Sequence, residues 1–301
     1  MRNRFKRLAA LTAFALWTGA APAAPPAAAE PAVVKPDYFG LVLNRKDAAA
    51  PWPNLRFGSW RLWDAYVTWA DLEPKPGQWD FSLLDRYVEE ASQHRVKLML
   101  VLAHTPRWAS ARPDEQNAFR RPGVAAEPAR IEDWQRYVRT VVERYKSRIE
   151  SYQIWNEPSD KAHFTGTLEQ LVEMACTAHR IIRSFDPAAK VVSPPSAGGG
   201  KNIEYLDRFL RGGGKACIDV AAHHFYVPRY GPEAMAPMIR GVKQVLRDNG
   251  LANMPLWSTE NGWWIESSAV GSGEPKGWRK VDVGSDLAAT IRSALYIARS
   301  E

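Results

Sequence analysis

Two glutamates, each set in a short polar motif behind an apolar run, are the residues of this 301-residue sequence best placed to do chemistry. Glu157 lies in Trp155-Asn156-Glu157-Pro158 and Glu260 in Ser258-Thr259-Glu260-Asn261-Gly262. Cleaving a glycosidic bond needs such a pair: a proton donor for a poor leaving group and a carboxylate facing the oxocarbenium-like carbon. A positioned general acid alone contributes roughly 10² to 10⁴ in rate, so the second carboxylate is expected to act as a nucleophile that divides the reaction into two easier steps. Arg61 is expected to keep Glu260 ionised, while Trp155 and other aromatics raise the pKa of Glu157 so that it stays protonated. Each motif alone also reads as a turn, since Pro158 fixes a loop opening and Asn261-Gly262 is an ordinary turn dipeptide. Their matching places at strand ends favour chemistry.

Further polar side chains fall at the same kind of position. Arg61 ends a second β-rich run, His104 follows a third, Asn156 and Glu157 a fourth, His224 and Tyr226 a sixth, and Glu260 a seventh. His104, His223 and His224 together suggest a metal, but neighbouring strand residues point to opposite faces, so one of the adjacent pair is a packing residue, assigned to His223. Neither H-x-H nor H-E-x-x-H occurs, and no metal or organic cofactor is expected. Thirteen tryptophans are many for this length. Trp63, Trp69, Trp108, Trp263 and Trp264 lie in or near strand-to-helix loops where flat rings stack on sugars, whereas Trp134 and Trp257 read as core.

The elements that must position these groups alternate. Strands are expected at 39–43, 58–62, 97–103, 151–155, 190–193, 218–223 and 256–259, and helices at 81–94, 131–145, 167–184, 203–210, 234–249 and 285–298. In the second of these helices Trp134, Tyr137, Val138 and Val141 fall at i, i+3, i+4 and i+7 and so share one face. Strand then helix, repeated, predicts an α/β fold, a (β/α)8 TIM barrel rather than a doubly wound sheet, because no glycine-rich turn follows the first strand. Gly198-Gly199-Gly200 and Gly212-Gly213-Gly214 read as flexible connections.

Four cations in the first seven residues, then an apolar stretch and small residues near Ala21-Pro22-Ala23, predict a signal peptide over 1–23. An Ala/Pro-rich disordered leader over 24–36 follows, and the barrel occupies 37–301. Removing the four leader cations takes the formal charge from +7 to +3, so the basic balance does not imply nucleic acid. The apolar stretch is too short for stable membrane insertion, which predicts a soluble secreted or periplasmic protein. Cys176 and Cys217 are compatible with a disulfide in an oxidising compartment and equally with two buried thiols. Oligomeric state is not legible.

These residues resemble retaining glycoside hydrolases of clan A, and within it glycoside hydrolase family 39 and exopolysaccharide-linked bacterial endoglycosidases. The similarity runs through Arg61-Leu62-Trp63-Asp64, Trp69-Ala70-Asp71-Leu72-Glu73-Pro74, Gly77-Gln78-Trp79-Asp80-Phe81, His104-Thr105-Pro106-Arg107-Trp108-Ala109, the two glutamate motifs and His224-Phe225-Tyr226. The resemblance implies that Glu157 is the acid/base and Glu260 the nucleophile, that Asn156 meets the sugar 2-hydroxyl, that Arg61 and Tyr226 position Glu260, and that His224 lines the sugar site. It implies a β-linked polysaccharide or oligosaccharide as substrate. A non-catalytic carbohydrate-binding barrel or accessory protein in exopolysaccharide assembly is the alternative. The clan carries an eighth strand after the helix matching 285–298, so the barrel is expected to be truncated after the seventh strand and helix.

Overall fold

Lys97–Leu102 has five consecutive buried apolar residues, Leu98 to Leu102, so both of its faces must be covered. That is the pattern of a parallel strand between helices on one side and a barrel interior on the other. In the computed structural model, which describes residues 38–227 and 230–262 and the backbone at 264–265 and 280–281, this run is β3. It pairs in parallel with β2 (Ser59–Leu62) and β4 (Ser151–Ile154). The same sheet continues to β1 (Gly40–Val42) and β5 (Lys190–Val192).

β6 (Ala221–His224) pairs in parallel with β7 (Leu256–Glu260). Parallel bridges Val192↔Val220 and Ala197↔His224 join β5 to β6, with Ser193 N–H donating to Val220 O at 2.9 Å. Seven parallel strands therefore follow one another in chain order, as the sequence predicts. A short parallel pair, β8 (Trp264–Ile265) with β9 (Lys280–Val281), was not anticipated. The sheet curls strongly: Gln153 on β4 donates across the interior to Thr259 Oγ1 on β7 at 3.1 Å. Below that contact Met99, Val192, Val220 and Ala222 form a separate apolar plug with Trp257 packed against it. The outward faces join the larger core shared with the helices.

The helices are α1 (Trp69–Leu72), α2 (Ser82–His94), α3 (Ile131–Arg144), α4 (Leu168–Phe185), α5 (Lys201–Arg211) and α6 (Met235–Asp248). On α3 the residues at helical spacing, Trp134, Tyr137, Val138 and Val141, are all fully buried. α4 starts at a capping box in which Gln170 N–H donates to Thr167 Oγ1 and Thr167 N–H to Gln170 Oε1. α1 is one turn long, too short to leave a periodic signature. It is fixed by Glu73, which is fully buried and accepts from Trp69 Nε1, Gly77 N–H and Arg136. No described helix is long and apolar enough to cross a membrane.

Of the two readings of the cysteines, the disulfide holds: Cys176 on α4 is bonded to Cys217, with 4.8 Å between Cα atoms. This ties α4 to the turn before β6. The glycine runs are not loose connections. Gly198 N–H donates to His224 O at 2.9 Å, and a Cβ on Gly214 would lie 2.4 Å from the Phe209 ring. The residues expected as signal peptide, leader and last helix lie outside the described ones.

Candidate active site

Arg61 sits on β2 between Trp60 and Leu62, which face the helices, so alternation turns its side chain into the barrel. It is buried there and satisfied three ways. Nε donates to Gln153 Oε1 at 2.8 Å, Nη2 to Asn156 Oδ1 at 2.7 Å and Nη1 to Glu260 Oε2 at 2.9 Å. One planar fork thus links β2, β4 and β7. Burial pulls its pKa down, opposed chiefly by the Glu260 carboxylate.

Glu260 reaches the fork because of a bulge. On β6 and β7, Ala222 pairs with Trp257 and His223 with Ser258, but His224 pairs with Glu260. Thr259 is the extra residue. With strict alternation Thr259 would face inward and Glu260 outward; the added residue lets both serve the interior. Thr259 accepts from Gln153, and Glu260 Oε1 accepts from Tyr226 Oη–H at 2.6 Å.

Glu157 leaves β4 through two left-handed residues, Trp155 at φ 56° and Glu157 itself at φ 46°. Such conformations cost about 1–3 kcal/mol each and persist only where the surroundings enforce them. Here Trp155 is buried and its Nε1 donates to His163 O at 3.0 Å, while Asn156 is held by Arg61. The turn aims Glu157 Oε1 at His224 Nδ1, 2.8 Å away, and Oε2 at His163 Nδ1, 3.1 Å away. Burial pushes the His224 pKa down, so its neutral ring donates from Nδ1. The His163 contact is a close ion pair when that ring is protonated.

These histidines correct one expectation. Burial does act to raise the Glu157 pKa, but His163 and then His224 outweigh it and hold the carboxyl down at about 2. Sequence reasoning missed His163 because it lies in a loop with no periodicity. Its one signal is a titratable side chain closely following a strand-end glutamate. Asp64 was also passed over; it lies just past β2 at φ 52°, and burial and then Glu260 raise its pKa.

The aromatic rim sorts into two groups. Trp63 packs 5.1 Å from the His104 ring and lies under Arg61, which holds Glu260. His104, at φ 63° and held neutral by burial with its pKa near 3, is flanked by Trp63, Phe119 and Trp155. Trp69, by contrast, is fully buried and stacked on Tyr137, and Trp108 donates to Glu73 O beneath Arg136, so neither is a sugar platform. Trp263 and the side chain of Trp264 lie outside the described residues.

The three-histidine metal arrangement does not assemble, because His223 turns away and pairs with Gly198 O at 2.7 Å. Glu157, His224 and Glu260 do offer atoms within 4.8 Å of one another. In this trio, however, His224 and Glu157 are a donor and an acceptor facing each other, and Glu260 is already paired with Arg61 and Tyr226. A zinc ion at about 2.0–2.2 Å from every ligand would need all three lone pairs turned to one centre. The donor set does not fit one.

A sequence model of Glycosyl hydrolase family 10 matches residues 64–195. Endo-1,4-beta-xylanase A of Halalkalibacterium halodurans is 30% identical over 102 residues, which is 30% of this chain and 24% of that enzyme. Among solved structures, a family 39 glycoside hydrolase from Bacteroides cellulosilyticus aligns with TM-score 0.63 and 16% identity, covering 88% of this chain and 54% of its own. GH10 from Paenibacillus barcinonensis aligns with TM-score 0.59 and 18% identity, covering 87% and 80%. The structural likeness places the chain among (β/α)8 barrels. In sequence motifs and fold the chain resembles clan A glycoside hydrolases, with family 10 now beside family 39.

Proposed function

We propose that this protein is a retaining glycosidase acting on a β-linked polysaccharide or oligosaccharide, with Glu260 as nucleophile and Glu157 as acid/base. The observation that carries the reading is the spacing of the pair, whose carboxylate oxygens come within 4.8 Å of each other. Retaining enzymes hold their carboxyl groups at about 5–5.5 Å, whereas inverting ones leave about 6.5–9.5 Å for a water. Glu260 attacks the anomeric carbon as the bond to the leaving oxygen breaks, and that oxygen takes the proton of Glu157. Water then gives a proton to Glu157, its oxygen bonds to the anomeric carbon, and Glu260 is released. Arg61 and Tyr226 orient Glu260, Asn156 faces the 2-hydroxyl, and Trp63 and His104 line the sugar, while His224, with no exposed surface, acts from behind by holding Glu157 Oε1.

The xylanase relative makes β-1,4-xylan and xylo-oligosaccharides the first substrates to try. The disulfide supports export to an oxidising compartment, with residues 1–23 as the signal peptide. The test is incubation with a 2,4-dinitrophenyl 2-deoxy-2-fluoro-β-xylobioside, followed by peptide mass spectrometry, with the glucoside and galactoside analogues in parallel. Covalent label at Glu260 is expected, and Glu157→Gln and Glu260→Gln should each nearly abolish turnover. An α-configured first product would overturn retention. Tight sugar binding without label would favour the accessory-protein reading.

A further inference from the structure

The proposed reaction requires a proton on Glu157 when the leaving group departs, yet the surroundings of this carboxyl favour its ionised form. A neighbouring group that holds a proton within reach of the carboxylate would meet this need. His224 is poorly suited, being fully buried with Nδ1 committed to Glu157 Oε1. His163 faces the other oxygen, Oε2, at 3.1 Å, and its side chain is 22% exposed, so it alone of the two rings touches both the carboxylate and solvent.

Its position is built by several contacts. Asp160 N–H donates to Glu157 O at 3.0 Å and His163 N–H to Asp160 O at 2.9 Å, forming a tight turn behind the glutamate. Trp155 Nε1 holds the His163 carbonyl, and the imidazole stacks on Phe119 at 5.2 Å with a 28° tilt. Phe119 comes from the loop after β3, so two separate segments fix the ring.

We propose that His163 and Glu157 share one proton, which His163 Nδ1 holds before substrate binds and passes to Glu157 Oε2 for delivery to the leaving group. The step is a plain proton transfer: the N–H bond of the imidazolium breaks, an O–H bond forms on the carboxyl, and the ring becomes neutral. Substrate drives it by displacing water from Glu157, which destabilises the carboxylate. In the second half-reaction the proton that Glu157 takes from water returns the pair to its starting state. His163 is a positioning residue that acts through Glu157 and touches no substrate atom in this scheme.

The charged groups around the ring favour this assignment. Glu157, then Asp160 on the same turn and Glu260 at the end of β7, raise its pKa against the effect of burial. Asp64 beyond β2 also feels the ring's charge. Burial alone opposes them; His104 nearby is held neutral by its own burial, and Arg121 on the Phe119 loop is paired with Asp71. Arg61 is neutralised by Glu260, and His224 stays uncharged.

The inference rests on the glycosidase reading, and the full chain tests both. Ring ¹³Cε1 signals of the histidines, assigned with His163→Gln, are followed against pH in the wild type and in Glu157→Gln. The His163 midpoint is expected above 6.5 and lower by about one pH unit or more once the carboxylate is gone; equal midpoints would overturn the proposal. On 4-nitrophenyl β-xylobioside, or whichever fluoroglycoside aglycone series labels the protein, His163→Gln should move the alkaline limb of kcat/KM acidward by at least half a pH unit. A uniform loss of rate with the limb unmoved would mean a structural role. Label at Glu260 with an unmoved limb removes this proposal alone; no label at Glu260 removes the glycosidase reading and this proposal with it.

Discussion

Arg61 Nη1 and Glu260 Oε2 are 2.9 Å apart although 199 residues separate them in the chain. The pair is both the electrostatic seat of one carboxylate and a brace between the second and seventh strands. Arg61→Lys keeps the charge but not the fork, so Gln153 and Asn156 lose their donors. Leaving those two buried side chains without their donors costs about 1–3 kcal/mol each. The expected outcome is a clearly lower urea midpoint together with at least a roughly 100-fold fall in kcat/KM. Unchanged stability would mean that β2 and β7 are held together by other contacts.

The same pair shows how far the sequence can be read. Arg61 and Glu260 were legible because each ends an apolar run, and in a parallel barrel the strand ends share one mouth. The bulge at Thr259 was not: alternation along Leu256–Glu260 would turn Glu260 outward, and only the pairing with β6 shows the extra residue. The pKa of Glu157 was misjudged for a related reason. Aromatic neighbours were visible in the local motif, but His163 and His224 arrive from a loop and another strand, and through-space charge leaves no local pattern. Trp69 looked like a loop aromatic because a one-turn helix has no period to announce it, and Glu73 draws that turn into the core.

Tyr226 tests the seating of Glu260 without touching the brace. Its Oη–H donates to Glu260 Oε1 at 2.6 Å, and burial first, then the carboxylate, pushes its pKa up, so it remains a donor. A hydrogen bond to a charged group is worth about 1.5–3 kcal/mol. Tyr226→Phe is therefore expected to lower kcat/KM roughly 10- to 150-fold, with a melting temperature close to that of the wild type. A rate within twofold of wild type would show that the hydroxyl plays no part in positioning the nucleophile.

The disulfide acts on stability and not on the site. Cys176 and Cys217 are 41 residues apart, and closing a loop of that size removes denatured-state entropy equivalent to about 4 kcal/mol. Neither cysteine touches the carboxylate cluster. The Cys176→Ser, Cys217→Ser double variant should unfold at a lower denaturant concentration, and dithiothreitol should shift the wild type to match it. Activity per folded molecule at low temperature should be unchanged. A double variant as stable as the oxidised protein would show that the denatured chain is already restrained there.

Acid should destabilise the protein in a defined window. Burial lowers the pKa of His104 from 6.5 to about 3 and that of His223 to about 4. Between those values and 6.5 the unfolded chain binds protons that the folded one refuses, so stability falls as pH drops through this range. Glu157 adds the same sign lower down: its contribution is full above 4.5 and is lost as pH falls toward about 2. His163 works the other way, because its pKa is raised in the fold; its contribution is full below 6.5 and fades as pH rises through the folded value. The urea midpoint should therefore be highest near neutrality and fall steadily from pH 6.5 to 4. His223→Gln retains a donor for Gly198 O but cannot titrate, so it should flatten that slope even if it lowers the midpoint at pH 7. A wild-type midpoint constant from pH 6.5 to 4 would mean that the buried histidines are hydrated and free to charge.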